Sequence, residues 1–389
     1  MILTGLDNLL ANHGKLVQDR KIGIVAHPAS VTGRLVHILP ALLAKGAQVV
    51  ALFGPEHGFG GEAQDMEPVS APMEGPMGID LFSLYGATAE SLAPSPEVVS
   101  QLDVLVVDLM DVGARYYTFV WTAVMCLEVC QKSGTQMILL DRPNPLGGEV
   151  VEGAPQQDGF LSFVGLRPVA VRHGMTVGEI VKMSAKEIGA DDILTVIPMK
   201  GWQRYMHFDE SGLPWVAPSP NMPSLNTALV YPGQCLLEAT WCSEGRGTTL
   251  PFECFGAPGI SSTQLVTHLQ EQLLPGVQFR PMSFKPMFQK HAGQVCHGAQ
   301  LHVTDRHRFL PFKTGVAIIR ALKTIAPDQF QWREAPYEFV ADIPAMDLLC
   351  GSDAIRQGID AGWSLEALCD SWREGETRFK GLKSHFHLY

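Results

Sequence analysis

The sequence predicts an α/β protein in which a doubly wound, mainly parallel sheet is followed by a smaller α/β domain. Two observations carry this prediction. Short apolar runs alternate with amphipathic, helix-like segments along the first half of the chain, which is the pattern of a parallel sheet with crossover helices. Several of these runs also end in polar residues, and open α/β sheets build their binding sites at the carboxyl ends of their strands.

The elements of the first half follow from the spacing of apolar residues. Continuous apolar runs predict strands that are buried on both faces, and apolar residues three or four apart predict helices. Thr176 and Glu179 have capping-box spacing, so a helix should start at Thr176. The other predicted elements are strands at 22–26, 48–53, 102–109, 136–140, 169–172 and 193–197, and helices at 35–45 and 116–132.

The pattern changes in the second half of the chain. Residues 202–255 are rich in proline and glycine, and three prolines within 215–223 exclude a helix there. Irregular segments of this kind run over a surface or line a cleft. A new α/β pattern follows, with a helix at 265–273 and a strand at 300–304. We therefore expect a catalytic domain at 1–255 and an auxiliary α/β domain at 256–389.

Composition excludes several classes of function. The chain has 389 residues, 46% of them hydrophobic, and a formal net charge of −11 with scattered basic residues, which argues against a nucleic acid partner. No run approaches the ~18 apolar residues of a membrane helix, and no signal peptide is visible. The eight cysteines are dispersed, which favours free thiols. We expect a cytoplasmic protein without a membrane partner; a preceding export signal would instead imply a periplasmic or secreted one.

Five of the predicted strands end in clusters of polar side chains. In a parallel sheet these ends share one edge, so the clusters should converge on one crevice. Their mixture of carboxylates, imidazoles and guanidiniums predicts an active site. The clusters contain His27; Glu56 and His57; Asp108, Asp111 and Arg115; Asp141, Arg142 and Asn144; and Arg172 and His173.

Glu56 is the first candidate for a catalytic carboxyl group. A glycosidase needs two carboxyl groups at the bond it breaks, and one must stay protonated near neutral pH, which requires burial. Glu56 leaves an apolar strand beside Pro55 and Phe59, which suits that role; a helix cap or an arginine partner is the structural alternative. Asp111 could be a second catalytic group or could cap the helix that contains Tyr116.

Several further side chains are candidates for substrate binding. Arg115, Arg172 and Arg246 could hold a carboxylate, because a guanidinium offers it a planar fork. Arg246 lies between two glycines, which would let a ligand approach the backbone, although a plain surface loop fits equally well. His57 and His173 could act as acid–base groups or as hydrogen-bond donors. Tyr116 could stack on a sugar ring or belong to the core, and Asp141 could bind substrate or order a turn.

Six segments of the chain carry a resemblance to one family. They are Gly-Pro-Glu-His-Gly at 54–58, Asp-Val-Gly-Ala-Arg-Tyr-Tyr-Thr at 111–118, Asp-Arg-Pro-Asn-Pro at 141–145, Arg-His-Gly-Met-Thr at 172–176, Pro-Ser-Pro-Asn-Met-Pro at 218–223 and Gly-Arg-Gly-Thr at 245–248. In this order they resemble the NamZ-type exo-β-N-acetylmuramidases, which form glycoside hydrolase family 171 and were long catalogued as a domain of unknown function. The resemblance covers nearly the whole chain.

The resemblance implies a Rossmann-like first domain, a smaller second domain and an active site in the cleft between them. It implies release of N-acetylmuramic acid (MurNAc) from the non-reducing end of peptidoglycan fragments, so that the partners are MurNAc-terminated disaccharides or muropeptides. No cofactor and no metal are implied, and the oligomeric state is left open. Glu56, His57 and Asp111 would be catalytic. The substrate-binding set would be Arg115, Tyr116, Asp141, Asn144, Arg172, His173, Asn221 and Arg246.

The chain also departs from the family pattern in two places. Glycine stands at position 60 where an arginine is expected, and the segment 238–243 replaces a more usual Glu-Gly-Thr-Asn-x-Ser. Three other functions are alternatives. A catalytically silent muropeptide-binding protein would bind without turnover. A dinucleotide-dependent enzyme lacks its glycine fingerprint after the first strand, and a metal hydrolase using Glu56, His57, Asp108 and His173 lacks a metal-binding spacing.

Overall fold

The computed structural model describes residues 1–61, 73–86 and 89–389. Within these residues a large sheet has the strand order β3-β4-β2-β1-β5-β6-β7, and every neighbouring pair except β3 and β4 is parallel. The prediction of a doubly wound, mainly parallel sheet is therefore confirmed. The strands are β1 (Lys21–Ala26), β2 (Gln48–Gly54), β3 (Met73–Glu74), β4 (Asp80–Ser83), β5 (Val104–Asp108), β6 (Gln136–Leu140) and β7 (Leu194–Ile197).

Helices cover both faces of this sheet. The inner strand β5 is buried over its whole length, as expected of a parallel strand that is covered on both sides. The predicted start of a helix at Thr176 is confirmed, because Thr176 and Glu179 form a reciprocal capping box. The helices of the first half are α1 (Gly5–Asn8), α2 (Ile38–Leu43), α3 (Pro96–Val99), α4 (Phe119–Ser133) and α5 (Val177–Ile188).

One predicted strand is wrong. Residues 169–172 do not join the large sheet. Arg172 instead forms isolated bridges to Ala114 and Glu152, and the Arg115 amide donates to the Val171 carbonyl. This segment is extended, but its hydrogen bonds go to neighbouring loops, so its short apolar run does not make it a strand of the sheet.

The second half contains a small antiparallel sheet of β8 (Cys254–Ala257), β9 (Val277–Phe284) and β10 (Cys296–Val303), in the order β8-β10-β9. Sequence reasoning missed the helix that precedes it, because Pro232 lies inside that helix. Gly233 packs directly on a later helix, where a Cβ would overlap the Pro311 carbonyl. The helices of this half are α6 (Leu225–Gln234), α7 (Ser262–Glu271), α8 (Pro311–Ile325), α9 (Ala345–Cys350), α10 (Ala354–Asp360) and α11 (Leu365–Lys383).

The two halves share one hydrophobic core. The largest cluster of buried apolar side chains runs from Val25 in β1 to Phe379 in α11. The expected division at residues 255 and 256 falls inside β8, and it stays a prediction. No helix within the described ranges is long and apolar enough to cross a bilayer.

All eight cysteines are free thiols, and seven of them are buried. Burial raises the pKa of Cys130 to about 12, and it raises the pKa of the half-buried Cys369 to about 11. The core therefore contains protonated thiols, which pack as small apolar groups.

Candidate active site

A cleft lies where the carboxyl end of β2 meets segments of the second half of the chain. The large sheet contributes the turn after β2 and the residues that lead into α4. The proline-rich segment before α6, the loops that follow α6 and the loop before α9 supply the other walls. The cleft is lined by Glu56, His57, Tyr116, Tyr117, Thr118, Phe119, Val164, Ser219, Asn221, Met222, Tyr231, Glu238, Arg246, Phe252, Tyr337 and Glu338.

A tight turn at the end of β2 aims Glu56 and His57 into this cleft. A Cβ on Gly54 would overlap the backbone of Phe59, so only glycine fits at the start of the turn. His57 has a φ of 72°, a left-handed conformation that costs a non-glycine residue about 1–3 kcal/mol. Such backbone strain is characteristic of functional sites. Here the strained residue is His57, which directly follows the catalytic candidate Glu56.

The carboxyl group of Glu56 is buried and oriented. The Thr118 hydroxyl donates a hydrogen bond of 2.6 Å to Oε2 of Glu56, and Thr118 is the residue that precedes α4. Nearby, burial, reinforced by the Asp111 and Glu56 carboxyl groups, raises the pKa of the Tyr117 phenol far above its ordinary value. Tyr117 therefore remains a neutral phenol near the catalytic candidate.

Another wall of the cleft carries a buried network of charges. Nη1 of Arg246 lies 2.6 Å from Oε1 of Glu238 and 3.3 Å from Oε1 of Glu244. The Tyr337 hydroxyl donates to Oε2 of Glu238 at 2.8 Å, and the Lys290 ammonium lies 3.0 Å from Glu244. Although burial alone would raise the pKa of Glu244, Lys290 and Arg246 lower it. Glu244 is thus held as a carboxylate, and Glu238 is oriented by Arg246 and Tyr337.

Gly245 and Gly247 flank Arg246 and allow close packing within the protein, whereas the sequence suggested that they let a ligand approach the backbone. Gly245 and Gly247 have φ values of 83° and 78°. A Cβ on Gly245 would lie 2.6 Å from the Cys254 carbonyl oxygen, and one on Gly247 would lie 2.8 Å from the Phe288 backbone. They allow the loop to pack against its own chain, which places the guanidinium 4.8 Å above the Phe252 ring and at the cleft.

The structure brings five of the sequence-predicted site residues together in the cleft: Glu56, His57, Tyr116, Asn221 and Arg246. The hydroxyl of Tyr116 donates to the Pro232 carbonyl, so Tyr116 lines the cleft with its ring and not with its hydroxyl group. The other six lie in the protein interior around the cleft and are Asp111, Arg115, Asp141, Asn144, Arg172 and His173.

Asp111 lies behind the lining residues. Its Oδ2 accepts from the Gly113 amide at 2.7 Å and lies 3.2 Å from Nε2 of His173. Its Oδ1 is buried and makes no hydrogen bond with any described residue. Asp111 does not cap the helix that follows, since that helix begins at Phe119 with Thr118 before it.

Arg115 and Arg172 use their guanidinium groups to bind the chain itself. Arg115 is fully buried and donates 2.7 Å hydrogen bonds to the carbonyls of Ala154, Val169 and Leu349. Arg172 pairs with Glu152 at 3.2 Å. Sequence patterns cannot distinguish a guanidinium that binds carbonyls of its own chain from one that faces a ligand.

Asp141 and Asn144 connect the end of β6 to α5. Asp141 accepts hydrogen bonds from the Thr176 hydroxyl at 2.7 Å, the Gly178 amide at 2.8 Å and the Tyr389 hydroxyl at 2.8 Å. Burial raises the pKa of Asp141 to about 6. Asn144 donates to the Met175 carbonyl at 2.9 Å. These polar groups order the sheet edge on which the cleft rests.

Sequence reasoning missed several polar residues of the cleft, among them Glu238, Tyr337 and Glu338. They come from irregular segments that no strand or helix pattern marks. One sequence signal could have identified Glu238. It is the first residue of the segment 238–243, which departs from the family pattern, and it is a glutamate in both. Within the described ranges, no three histidine, cysteine, aspartate or glutamate side chains are grouped as metal ligands would be.

Comparison with known proteins gives consistent matches over the full length. The N-terminal family model of the exo-β-N-acetylmuramidase NamZ matches residues 22–226, and the C-terminal model matches residues 229–389. The chain is 40% identical to the peptidoglycan β-N-acetylmuramidase NamZ of Bacillus subtilis, over 100% of this chain and 91% of that relative.

Two solved structures from Bacteroides fragilis, both of DUF1343 family proteins, have the same fold. One is 30% identical with a TM-score of 0.88, and the other is 27% identical with a TM-score of 0.77. Each match covers 100% of this chain and 99% of the solved chain.

Proposed function

We propose that this chain, which belongs to the family of NamZ exo-β-N-acetylmuramidases, releases MurNAc from the non-reducing end of peptidoglycan fragments with Glu56 as a catalytic carboxyl group. One observation supports this role for Glu56 above all. It is a buried carboxyl group that a strained turn and the Thr118 hydroxyl fix in a cleft.

Glu56 suits the part of general acid. Hydrolysis of a glycoside requires a proton on the departing oxygen as the bond breaks, and a buried carboxyl group can keep that proton near neutral pH. The second carboxyl group should be ionised to stabilise the positive charge that develops on the sugar ring. We assign this part to Glu238, because Arg246 and Tyr337 orient its carboxyl group and the guanidinium favours its ionised form. Asp111 lies one layer further from the cleft.

Arg246 suits the recognition of MurNAc. This sugar differs from N-acetylglucosamine (GlcNAc) by a lactyl group that carries a carboxylate. Arg246 is the one lysine or arginine among the described residues that line the cleft, and a guanidinium binds carboxylates through a planar fork of donors. The substrates would then be MurNAc-terminated disaccharides or muropeptides.

The first experiment measures MurNAc release from a MurNAc-GlcNAc disaccharide. Wild type should release MurNAc, and Glu56→Gln should lower kcat by a factor of about 10²–10⁴, the usual contribution of a general acid. Glu271→Gln, at the exposed end of α7, is the matched control and should behave as wild type. A disaccharide that begins with GlcNAc should not be cleaved. Binding of the MurNAc disaccharide without turnover by wild type would indicate a silent binding protein instead.

A further inference from the structure

A two-residue turn at the edge of the cleft has an unusual sequence for its geometry. Tyr337 and Val340 exchange backbone hydrogen bonds of 2.9 and 3.0 Å, so Glu338 and Phe339 are the central residues. Their φ values are 46° and 68°. A two-residue turn with positive φ at both central positions strongly favours Asn-Gly, so both side chains are held in a conformation that their own residue types disfavour.

The turn presents two different side chains to the cleft region. Glu338 is only 5% exposed and lines the cleft, and its Oε2 accepts from the Tyr85 hydroxyl at 3.3 Å. Phe339 is 41% exposed. Its ring centroid lies 5.9 Å from that of Tyr85 and 6.5 Å from that of Phe163. The three rings form one aromatic cluster, and Phe339 is the member of it that faces solvent.

We propose that the Glu338-Phe339 turn binds the leaving-group sugar, the second residue of the substrate; this inference rests on the proposed function. An enzyme that removes a terminal sugar must enclose that sugar and leave the next one at the mouth of the cleft. An exposed ring next to buried lining residues offers the apolar face that a sugar ring stacks against, and the Glu338 carboxylate is an acceptor for sugar hydroxyl groups. Backbone conformations of this disfavoured kind cluster at ligand-binding sites.

The test compares variants that keep the turn but change its side chains. Glu338→Asn combined with Phe339→Gly supplies the preferred sequence for this turn. It should raise KM for MurNAc-GlcNAc by about 3–10-fold, the effect of one lost stacking contact, while kcat changes less. The single variant Phe339→Tyr keeps the aromatic ring and should have the same KM as wild type. The inhibition constant of free MurNAc, which reports on the enclosed sugar alone, should stay within a factor of two.

Leu273 provides a matched control for the turn. It has a φ of 48°, is 86% exposed and does not line the cleft. Leu273→Asn should leave KM unchanged. If the double variant does not fold, Phe339→Asn replaces it, since asparagine tolerates the left-handed region.

Three outcomes decide between the claims. Failure of wild type to release MurNAc overturns the proposed function itself. An active wild type with an unchanged KM in the folded turn variant overturns the role of the turn. An equal rise in the inhibition constant of MurNAc also overturns it, because the turn would then shape the site of the terminal sugar.

Discussion

Nη1 of Arg246 lies 2.6 Å from Glu238 and 3.3 Å from Glu244, and the Lys290 ammonium lies 3.0 Å from Glu244. Two cationic side chains therefore face two acidic ones in this network. Arg246 also lines the cleft, and a guanidinium matches the planar geometry of a carboxylate. Under the proposed function, Arg246 would link recognition of the lactyl group to the orientation of the second carboxyl group.

We predict that Arg246→Lys weakens the discrimination of MurNAc from GlcNAc. Lysine keeps the charge near Glu238 and Glu244 but lacks the planar fork. Loss of a charge-assisted hydrogen bond worth about 1.5–3 kcal/mol should lower kcat/KM for MurNAc-GlcNAc by about 10–100-fold. Steady-state kinetics on this disaccharide measure the loss, with Arg280→Lys on the exposed side of β9 as the control. Unchanged kinetics would remove Arg246 from the recognition of the lactyl group.

The sequence located Glu56, His57 and Arg246 at the cleft for a physical reason. Each lies in a glycine-containing turn next to an apolar strand or loop, and such positions leave a signal in local sequence. Glu238 and Glu338 reach the cleft only through tertiary packing of irregular segments. No periodicity marks them, so local patterns could not identify them.

The elements around the cleft are joined by buried polar contacts. The extended segment that ends at Arg172 is fixed to the chain through Glu152, whose second oxygen, Oε2, accepts from the Phe312 amide at 3.1 Å. Phe312 lies in the first turn of α8. This carboxyl group therefore connects the two halves of the molecule.

We predict that Glu152 makes the free energy of unfolding depend on pH. Burial raises the pKa of Glu152 to about 7, against an ordinary value of 4.5. Between these values the folded protein holds a proton that the unfolded chain has lost, so the contribution of Glu152 to stability increases as the pH falls from about 7 to about 4.5. The total change should be up to about 3 kcal/mol.

Urea unfolding of wild type and Glu152→Gln from pH 5 to pH 8 measures this contribution. Glutamine cannot titrate, and it leaves Arg172 without its ionic partner, so the variant should be less stable by about 3–5 kcal/mol at neutral pH. The difference between the two proteins should change with pH. A constant difference would show that Glu152 keeps an ordinary pKa in the fold.

At this scale the sequence predicted the parallel strands and the capped start of α5 correctly. Long apolar runs and a capping box are local signals, and both survive folding unchanged. The predicted strand at 169–172 was wrong, and the helix α6 was not predicted. In both cases the local sequence does not determine the structure. A four-residue apolar run does not determine its own partners, and Pro232 in the last turn of α6 is a residue that predicts the absence of a helix.

The continuous hydrophobic core suggests that the whole molecule unfolds as one unit. Side chains from Val25 in the large sheet to Phe379 in α11 belong to one buried cluster. The predicted regions 1–255 and 256–389 would then form two lobes of the structure without separate stability. Sequence patterns indicate lobes, because they reveal where a new α/β pattern starts, but they do not reveal how much core the lobes share.

We predict a single cooperative unfolding transition for the full chain. Differential scanning calorimetry should give equal calorimetric and van't Hoff enthalpies, the criterion for a two-state transition. A thermal scan with two resolved transitions, or a calorimetric enthalpy well above the van't Hoff value, would show that the lobes unfold independently.

The buried cysteine thiols should become reactive only when the protein unfolds around them. The thiolate form of a cysteine is the nucleophile that attacks an alkylating reagent, and Cys130 is both buried and hard to deprotonate. In the native protein the half-buried Cys369 should therefore be alkylated first. Cys130 beneath the large sheet and Cys350 at the end of α9 should be alkylated only when the core opens. Mass spectrometry of these two sites over time would thus follow the opening of each half separately, without any added probe.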